Sequence, residues 1–245
     1  MKFFGFLMAA LVLSAPPLTF AADSPVVVEL FTSEGCSSCP PADALLIQLS
    51  QAKARNGADI LVLGEHVDYW NSSNWTDRFS SVEFTERQQS YARRFHLASP
   101  YTPQMVVDGS VQFVGNNQDN VYQAISSESE KPKAAAVSLS LENEKTLHIS
   151  VHTSDPNKSH VILAITEDGL ASNVKGGENG GRTLRHAGVV RVMRDCGSLS
   201  GGNFDREVQL PMKSDWNPAN LKAVVFVQQT NYGPILGSAS VRLAH

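Results

Sequence analysis

The feature that most constrains the fold is a pair of cysteines, Cys36 and Cys39, placed between an apolar run and a helical stretch. The run 26–31 is typical of a buried strand, and apolar residues over 42–49 recur at helical spacing. Two intervening residues at the start of a helix let the two sulfurs close into a small disulfide. The first turn of a helix also offers unpaired N–H groups and a partial positive charge, and both stabilise a thiolate. The motif therefore predicts a redox-active dithiol.

The two cysteines are expected to have different roles. The helix N-terminus is expected to lower the pKa of Cys36, which makes it the attacking and more exposed thiol, with Cys39 as the resolving thiol. Ser37 and Ser38 add hydroxyl groups that can hydrogen-bond a thiolate. Glu34, just before the motif, acts in the opposite direction because a nearby carboxylate raises the pKa of a thiol. The direction of electron transfer stays open, and a reductase is not distinguished from an oxidase.

Two other interpretations of the motif also stay open. In an exported protein, a lone Cys-x-x-Cys can be a structural disulfide in a non-catalytic interaction protein. A soft ion such as Cu(I) can bind two thiolates and a histidine, and His66 is available for that role. Zinc is disfavoured because no second Cys-x-x-Cys or close pair of histidines completes a site. The preferred interpretation needs no metal and no other cofactor.

An apolar run near the N-terminus, residues 3–15, is too short to span a bilayer. It follows a lysine and precedes two prolines and a pair of alanines, which is typical of a secretory signal peptide over residues 1–22. No later run reaches the roughly 18 apolar residues that a membrane span needs. The mature chain is therefore predicted to have no membrane span and to be exported, to the periplasm, where a disulfide persists.

The charge of the chain argues against a nucleic-acid partner. Lys and Arg number 20 against 24 Asp and Glu, a net charge of −4, whereas nucleic-acid binders usually carry a basic excess. The expected partner is a protein thiol or disulfide. Nothing in the sequence indicates the oligomeric state.

The chain divides into two halves with different patterns. Residues 25–127 alternate short apolar strands with helical stretches, which is typical of an α/β domain. The polar segment 128–134 is the best candidate for a linker. Residues 135–245 contain short strands separated by Gly, Asn and Pro, which predicts a β-sandwich-like domain.

Several motifs of the first half resemble thioredoxin. These are the cysteine pair between strand and helix, Thr102-Pro103 before a predicted strand, a hairpin at Asp108-Gly109, and a closing helix. The resemblance implies that Cys36 and Cys39 are the attacking and resolving cysteines. It also gives Pro103 the role of a cis proline that faces them, with Thr102 before it.

Longer segments resemble a family of uncharacterised bacterial secreted proteins, which are thioredoxin-like with a β-rich extension. The segments are VVVELFTSEGCSSCPPAD, HVDYWNSSNW, YTPQMVVDG and ENGGRTLRHAGVVR. The predicted fold class is therefore an α/β thioredoxin-like domain followed by an all-β sandwich-like domain. The predicted function is that of a thiol–disulfide oxidoreductase.

Further candidate site residues follow the predicted strand 60–63. Ligands gather beyond the carboxyl ends of parallel strands, and the cysteine pair is expected at the same edge of the sheet. His66 or Asp68 can take a proton from the resolving cysteine during exchange, and Trp70 can line a groove for a partner. The alternative is a hydrogen-bonded structural histidine and a core tryptophan.

Three features of the second half have less specific interpretations. Cys196 is expected to be a buried free thiol, because free cysteine behaves as a small hydrophobe. The Gly-rich segment 175–181 lacks a phosphate-binding signature and is interpreted as a flexible loop. Arg182, Arg185 and His186 form a basic cluster, interpreted as a solvated turn or a docking face.

Overall fold

The computed structural model describes residues 24–155 and 158–243. The predicted signal peptide, 1–22, lies outside these residues. In the first half, strands and helices alternate as the hydrophobic pattern predicts. The elements are β1 (Val26–Thr32), α1 (Pro40–Leu49), β2 (Ile60–His66), α2 (Val82–Arg94), β3 (Gln104–Val107), β4 (Val111–Val114) and α3 (Gln118–Ser129).

The second half is built from strands, with a 3₁₀ turn at Pro218–Asn220. The strands are β5 (Ala135–Asn143), β6 (Thr146–Thr153), β7 (Ser159–Glu167), β8 (Leu170–Asn173), β9 (Thr183–His186), β10 (Val189–Ser198), β11 (Asn203–Gln209), β12 (Leu221–Gln229) and β13 (Ile235–Arg242). The sequence does not predict strands β8 and β9, because each is only four residues long and the segment between them is rich in glycine.

Strands from both halves form one large mixed sheet of eight strands, in the order β13-β12-β7-β10-β2-β1-β3-β4. Within it, β1 pairs with β2 in parallel, and β10 also runs parallel to β2. The other neighbouring pairs are antiparallel. The remaining strands form a three-stranded sheet, β11-β6-β5, and a two-stranded sheet, β8-β9.

The predicted fold class is therefore wrong. Of the described residues, 44 % are in strands and 17 % are in helices, and they do not form an α/β thioredoxin-like domain followed by a separate β-sandwich. Strand β2 is not an edge of a small sheet, because β10 from the second half pairs with it and continues the sheet into β7, β12 and β13. Hydrophobic periodicity identifies strands, but it does not show which strands pair across more than a hundred residues of chain.

The junction between the two halves depends on a close backbone contact. Gly64 of β2 donates an N–H to the carbonyl of Gly188 at 2.7 Å, directly before β10 begins. Gly188 has a φ of +59°, and a Cβ there would lie 2.4 Å from the carbonyl oxygen of Val62. Because only glycine has no Cβ, it alone allows this approach without a shift of the backbone.

The hydrophobic core also crosses between the halves. One cluster joins Val27 of β1, Leu63 of β2 and Phe84 of α2 to Val190 of β10 and Phe226 of β12. A second cluster lies between the three-stranded sheet and the second-half strands of the large sheet. The two ends of the large sheet are thus covered by different layers, helices over β1–β3 and strands over β7 and β12.

Within the described residues, no helix combines the length and the apolar character needed to cross a bilayer.

Candidate functional site

The two cysteines lie in the loop that leads from β1 into α1, and they form a disulfide. The S–S distance is 2.13 Å and the Cα–Cα distance is 5.4 Å. Cys39 occupies the N-cap position of α1, and Pro40 and Pro41 form its first two positions. Proline is tolerated there because these positions need no N–H donor. The same two prolines mean that the start of the helix offers fewer amide donors to a thiolate than an ordinary helix does.

Both cysteines are fully buried, each with 0 % relative exposure. The prediction that Cys36 is the more exposed thiol is therefore wrong. The exposed members of the motif are Ser37 and Ser38. The burial has a tertiary cause, because other parts of the chain pack against the loop, including the backbone of Trp70 beside Gly35.

Ser38 connects the disulfide to the predicted proline loop. Its Oγ lies 3.4 Å from Cys36 Sγ and 3.5 Å from the carbonyl oxygen of Thr102. The Thr102–Pro103 peptide bond is cis, the isomer that the resemblance implies. Trp70 donates its Nε1–H to Thr102 Oγ1 at 2.8 Å. The fold thus brings together the cysteine loop, the proline loop and Trp70, which the sequence predicts to share one site.

A cluster of five buried ionisable residues surrounds the base of the cysteine loop. Glu34, His66, Asp77, His186 and Asp43 all have 5 % relative exposure or less. His66 Nδ1 lies 2.7 Å from Asp77 Oδ2, and that same oxygen accepts the backbone N–H of Glu34 at 2.9 Å. His186 Nε2 lies 3.3 Å from Glu34 Oε1, and its ring centroid is 4.8 Å from that of His66.

The electrostatics of this cluster favour the charged forms of His66 and Asp77. Burial alone raises the pKa of Asp77, but the charge and hydrogen bond of His66, with two backbone N–H groups, lower it to about 2. Burial lowers the pKa of His66, but the charge and hydrogen bond of Asp77 raise it above its ordinary value. Burial raises the pKa of Asp43, and the charges of the two histidines only partly compensate.

The remaining predicted residues have separate contacts. The carboxylate of Asp68 accepts a hydrogen bond from Thr85 Oγ1 of α2 at 2.6 Å. Glu34 accepts a hydrogen bond from Trp75 Nε1 at 3.1 Å. A role of His66 or Asp68 in proton transfer stays a prediction.

The second half of the chain contributes directly to the site. Asn179 is fully buried, and its Nδ2 donates to the carbonyl oxygens of Glu34 at 3.0 Å and Cys36 at 2.9 Å. The neighbouring Glu178 accepts the backbone N–H of Ser37 at 3.0 Å. The segment 175–181, which the sequence analysis interprets as a flexible loop, is thus hydrogen-bonded to both sides of Cys36.

Comparison with known proteins supports a family assignment. The family described as "Protein of unknown function (DUF1223)" matches residues 27–228 of the chain. The chain belongs to the DUF1223 family. The expected membership of an uncharacterised family is therefore confirmed, whereas the expected likeness to thioredoxin is not. A search of curated proteins finds no match for this DUF1223 chain.

One solved structure is similar to this protein over most of its length. The crystal structure of an Agrobacterium tumefaciens protein, a structural-genomics target, is 28 % identical and has a TM-score of 0.73. The match covers 90 % of the DUF1223 chain and 95 % of that protein. A domain of the outer membrane lipoprotein Omp28 from Porphyromonas gingivalis is 15 % identical, with a TM-score of 0.24, over 44 % of this chain and 84 % of that one. A score this low supports no conclusion about the fold.

The position of His186 in the DUF1223 site differs from the one that its sequence context suggests. The sequence suggests an exposed basic turn, but His186 has 4 % relative exposure and contacts the buried cluster. In the structure, Leu184 and His186 share the buried face of β9, but a strand of four residues is too short for its sequence to show this alternation. No comparable local signal marks Asn179, whose partners lie 143 and 145 residues away.

The described part of the DUF1223 chain contains no group of three or more His, Cys, Asp or Glu side chains arranged to hold a metal ion. The suggested third ligand of a Cu(I) site, His66, has its Nδ1 engaged by Asp77.

Cys196, the free cysteine of the described residues, is half-buried on β10 and packs at the margin of the core between the sheets. Burial raises the pKa of its thiol.

Proposed function

We propose that the protein is an exported thiol–disulfide oxidoreductase that acts on protein disulfides through Cys36 and Cys39. The observation that supports this most directly is the disulfide across two residues at the N-terminal end of α1. A cysteine placed at a helix N-terminus is easier to ionise, and the thiolate is the form that attacks a disulfide. The signal-peptide pattern of residues 1–22 supports export, to a compartment in which the oxidised form persists.

In the dithiol form, the Cys36 thiolate attacks one sulfur of a partner disulfide. The partner's S–S bond breaks, its second sulfur leaves as a thiolate and takes up a proton, and a mixed disulfide forms. Cys39 then loses its proton and attacks Cys36 Sγ, which releases the first partner sulfur as a thiol. The protein dithiol and partner disulfide become protein disulfide and partner dithiol, with two electrons transferred. The same steps run in reverse when the protein oxidises a partner dithiol.

The burial of both cysteines adds a requirement to this mechanism. Neither cysteine has solvent-exposed surface, so a partner reaches Cys36 only after the residues around the loop move. Ser37 and Ser38 are the exposed residues of the motif. They offer the part of the motif that a partner can contact before any movement of the loop.

The same burial favours a second candidate function, a non-catalytic protein in which the disulfide is structural. Structural disulfides of secreted proteins typically have reduction potentials below about −300 mV, which makes them resistant to the glutathione pool. A potential in that range, together with no exchange activity, would favour the structural role. A higher potential with reversible reduction of the folded protein would favour the oxidoreductase.

Two cysteine variants test the proposed mechanism. Cys36→Ser is expected to abolish the reduction of insulin disulfides, whereas Cys39→Ser is expected to accumulate a mixed disulfide with a disulfide substrate. Cys196→Ser is the matched control and should behave as the wild type in both assays. The absence of insulin reduction by the wild-type dithiol, or of any mixed disulfide with Cys39→Ser, would contradict the proposal.

A further inference from the structure

The segment between β8 and β9 is a fixed part of the site. Asn179 holds the cysteine loop by two hydrogen bonds from its buried side chain. Arg182 donates its Nη1–H to Asn179 Oδ1 at 2.8 Å, which orients the amide. The N–H of Gly181 donates to the carbonyl of Val174 at 2.8 Å and closes the segment on itself. The backbone next to Asn179 is therefore held beside the cysteine loop.

The residue before Asn179 is Glu178, whose Oε2 lies 3.0 Å from the backbone nitrogen of Ser37. This nitrogen belongs to the peptide group that joins Cys36 to Ser37. The hydrogen bonds from Ser37 lower the pKa of Glu178, so the carboxylate is negative at neutral pH. A fixed negative charge thus lies one peptide group away from the cysteine that must ionise.

Several groups near the start of α1 are not free to compensate for this charge. Pro40 and Pro41 have no N–H. The N–H groups of Cys39 and Ala42 donate to the carbonyls of Cys36 and Cys39. The amide of Ser37, in the peptide group that follows Cys36, is itself engaged by Glu178.

We propose that Glu178 is a positioning residue that tunes the Cys36–Cys39 couple by disfavouring the Cys36 thiolate and so favouring the disulfide. This inference depends on the proposed function. A negative charge close to a thiolate destabilises the anion and therefore the dithiol form in which it occurs. The second half of the chain would in this way set the redox balance of a motif that belongs to the first half.

The test compares Glu178→Gln, Glu178→Asp and the wild type in a glutathione equilibrium at about pH 8.5, where cysteine thiols ionise appreciably. In this reaction, two glutathione molecules reduce the disulfide to the dithiol and form one oxidised glutathione. Glutamine keeps an oxygen that accepts the Ser37 N–H but removes the charge. Aspartate keeps the charge. Glu207→Gln, an exposed carboxylate on β11, is the matched control.

Glu178→Gln is expected to shift the equilibrium constant towards the dithiol by roughly three- to tenfold. Glu178→Asp should stay closer to the wild type, and Glu207→Gln should match the wild type. Because Glu178 is exposed, about 1 M salt should reduce the shift through screening. A purely structural role of Glu178 would not produce this dependence on charge and salt.

The two proposals fail in distinguishable ways. If the wild-type disulfide exchanges with glutathione but Glu178→Gln has the same equilibrium constant, the role of Glu178 is refuted and the oxidoreductase proposal stands. The same conclusion holds if the shift is towards the disulfide. If the folded wild type cannot be reduced reversibly, both proposals are refuted.

Discussion

Asn179 donates a hydrogen bond to the carbonyl of Cys36 at 2.9 Å, across 143 residues of sequence. The cysteine motif is therefore held by a side chain from the opposite half of the chain. This contact explains why the loop around the disulfide is closed, and it makes the two halves parts of one site.

Asn179→Ala is expected to lower the free energy of unfolding by about 1–3 kcal/mol, because it removes the side-chain donor to the buried carbonyl of Glu34 and one of the two donors to the carbonyl of Cys36. Urea denaturation of the oxidised protein measures this change. Asn120→Ala, at an exposed position on α3, is the control and should change stability by less than about 0.5 kcal/mol. Equal effects of the two substitutions would show that the Asn179 contacts do not hold the loop.

Asp77→Asn is expected to destabilise the protein by roughly 2 kcal/mol at about pH 5.5, where Asp77 and His66 are both charged. The folded-state pKa of Asp77, about 2, lies below the ordinary 3.8. Its ionisation therefore stabilises the fold above pH 3.8, and this contribution is lost as the pH falls towards 2. The pKa of His66 is raised from 6.5. Its charge therefore stabilises the fold below pH 6.5, and this contribution is lost as the pH rises through the folded-state pKa.

The stability difference between the wild type and Asp77→Asn should thus be larger at about pH 5.5 than at about pH 2.5 or pH 9. Urea denaturation at the three pH values measures it. Asp59→Asn removes a carboxylate from an exposed ion pair with Lys53 and should cost less than about 1 kcal/mol. A difference for Asp77→Asn that does not vary with pH would contradict a charged pair with His66.

Arg87→Met is expected to destabilise the protein by about 3–5 kcal/mol, because it leaves a buried carboxylate without its partner. Arg87 Nε lies 2.5 Å from Glu29 Oε1, and its Nη2 donates to Gln228 of β12 at 3.0 Å. Burial and the charge of Glu29 raise the pKa of Glu65 far above its ordinary value, and Arg87 lies within ion-pair distance of both carboxyl groups. Chemical denaturation should show a far smaller loss for the exposed Arg55→Met, and similar losses would contradict this account.

Gly188→Ala is expected to weaken the junction between β2 and β10. Gly201 is the matched control, because its φ of +56° is close to the +59° of Gly188, but a Cβ there would meet open space, with no atom beyond its chain neighbours within 4 Å. Both substitutions should cost about 1–2 kcal/mol for the left-handed backbone. Only Gly188→Ala adds the clash with Val62, so its melting temperature should fall further. Equal decreases would show that the junction tolerates a side chain.

Much of the local structure could be predicted from the sequence. The strand before Cys36, the helix after Cys39, and the turn at Asp108-Gly109 follow from apolar spacing and turn residues, which act over a few positions. The residues that lie close to the cysteine motif in the folded protein could be predicted only in part. Thr102 and Trp70 lie near it as expected, whereas the prediction for His186 is wrong because its strand is too short to give a clear pattern.

The sequence by itself determined that a cysteine pair lies between a strand and a helix, and that the second half consists largely of short strands, because these features depend on neighbouring residues. The tertiary structure decided that β10 pairs with β2, that Asn179 and His186 reach the cysteine loop, and that both sulfurs are covered. Strand pairing and burial depend on contacts between residues far apart in the chain. Such contacts produce no periodic pattern in the local sequence, so the sequence alone does not predict them.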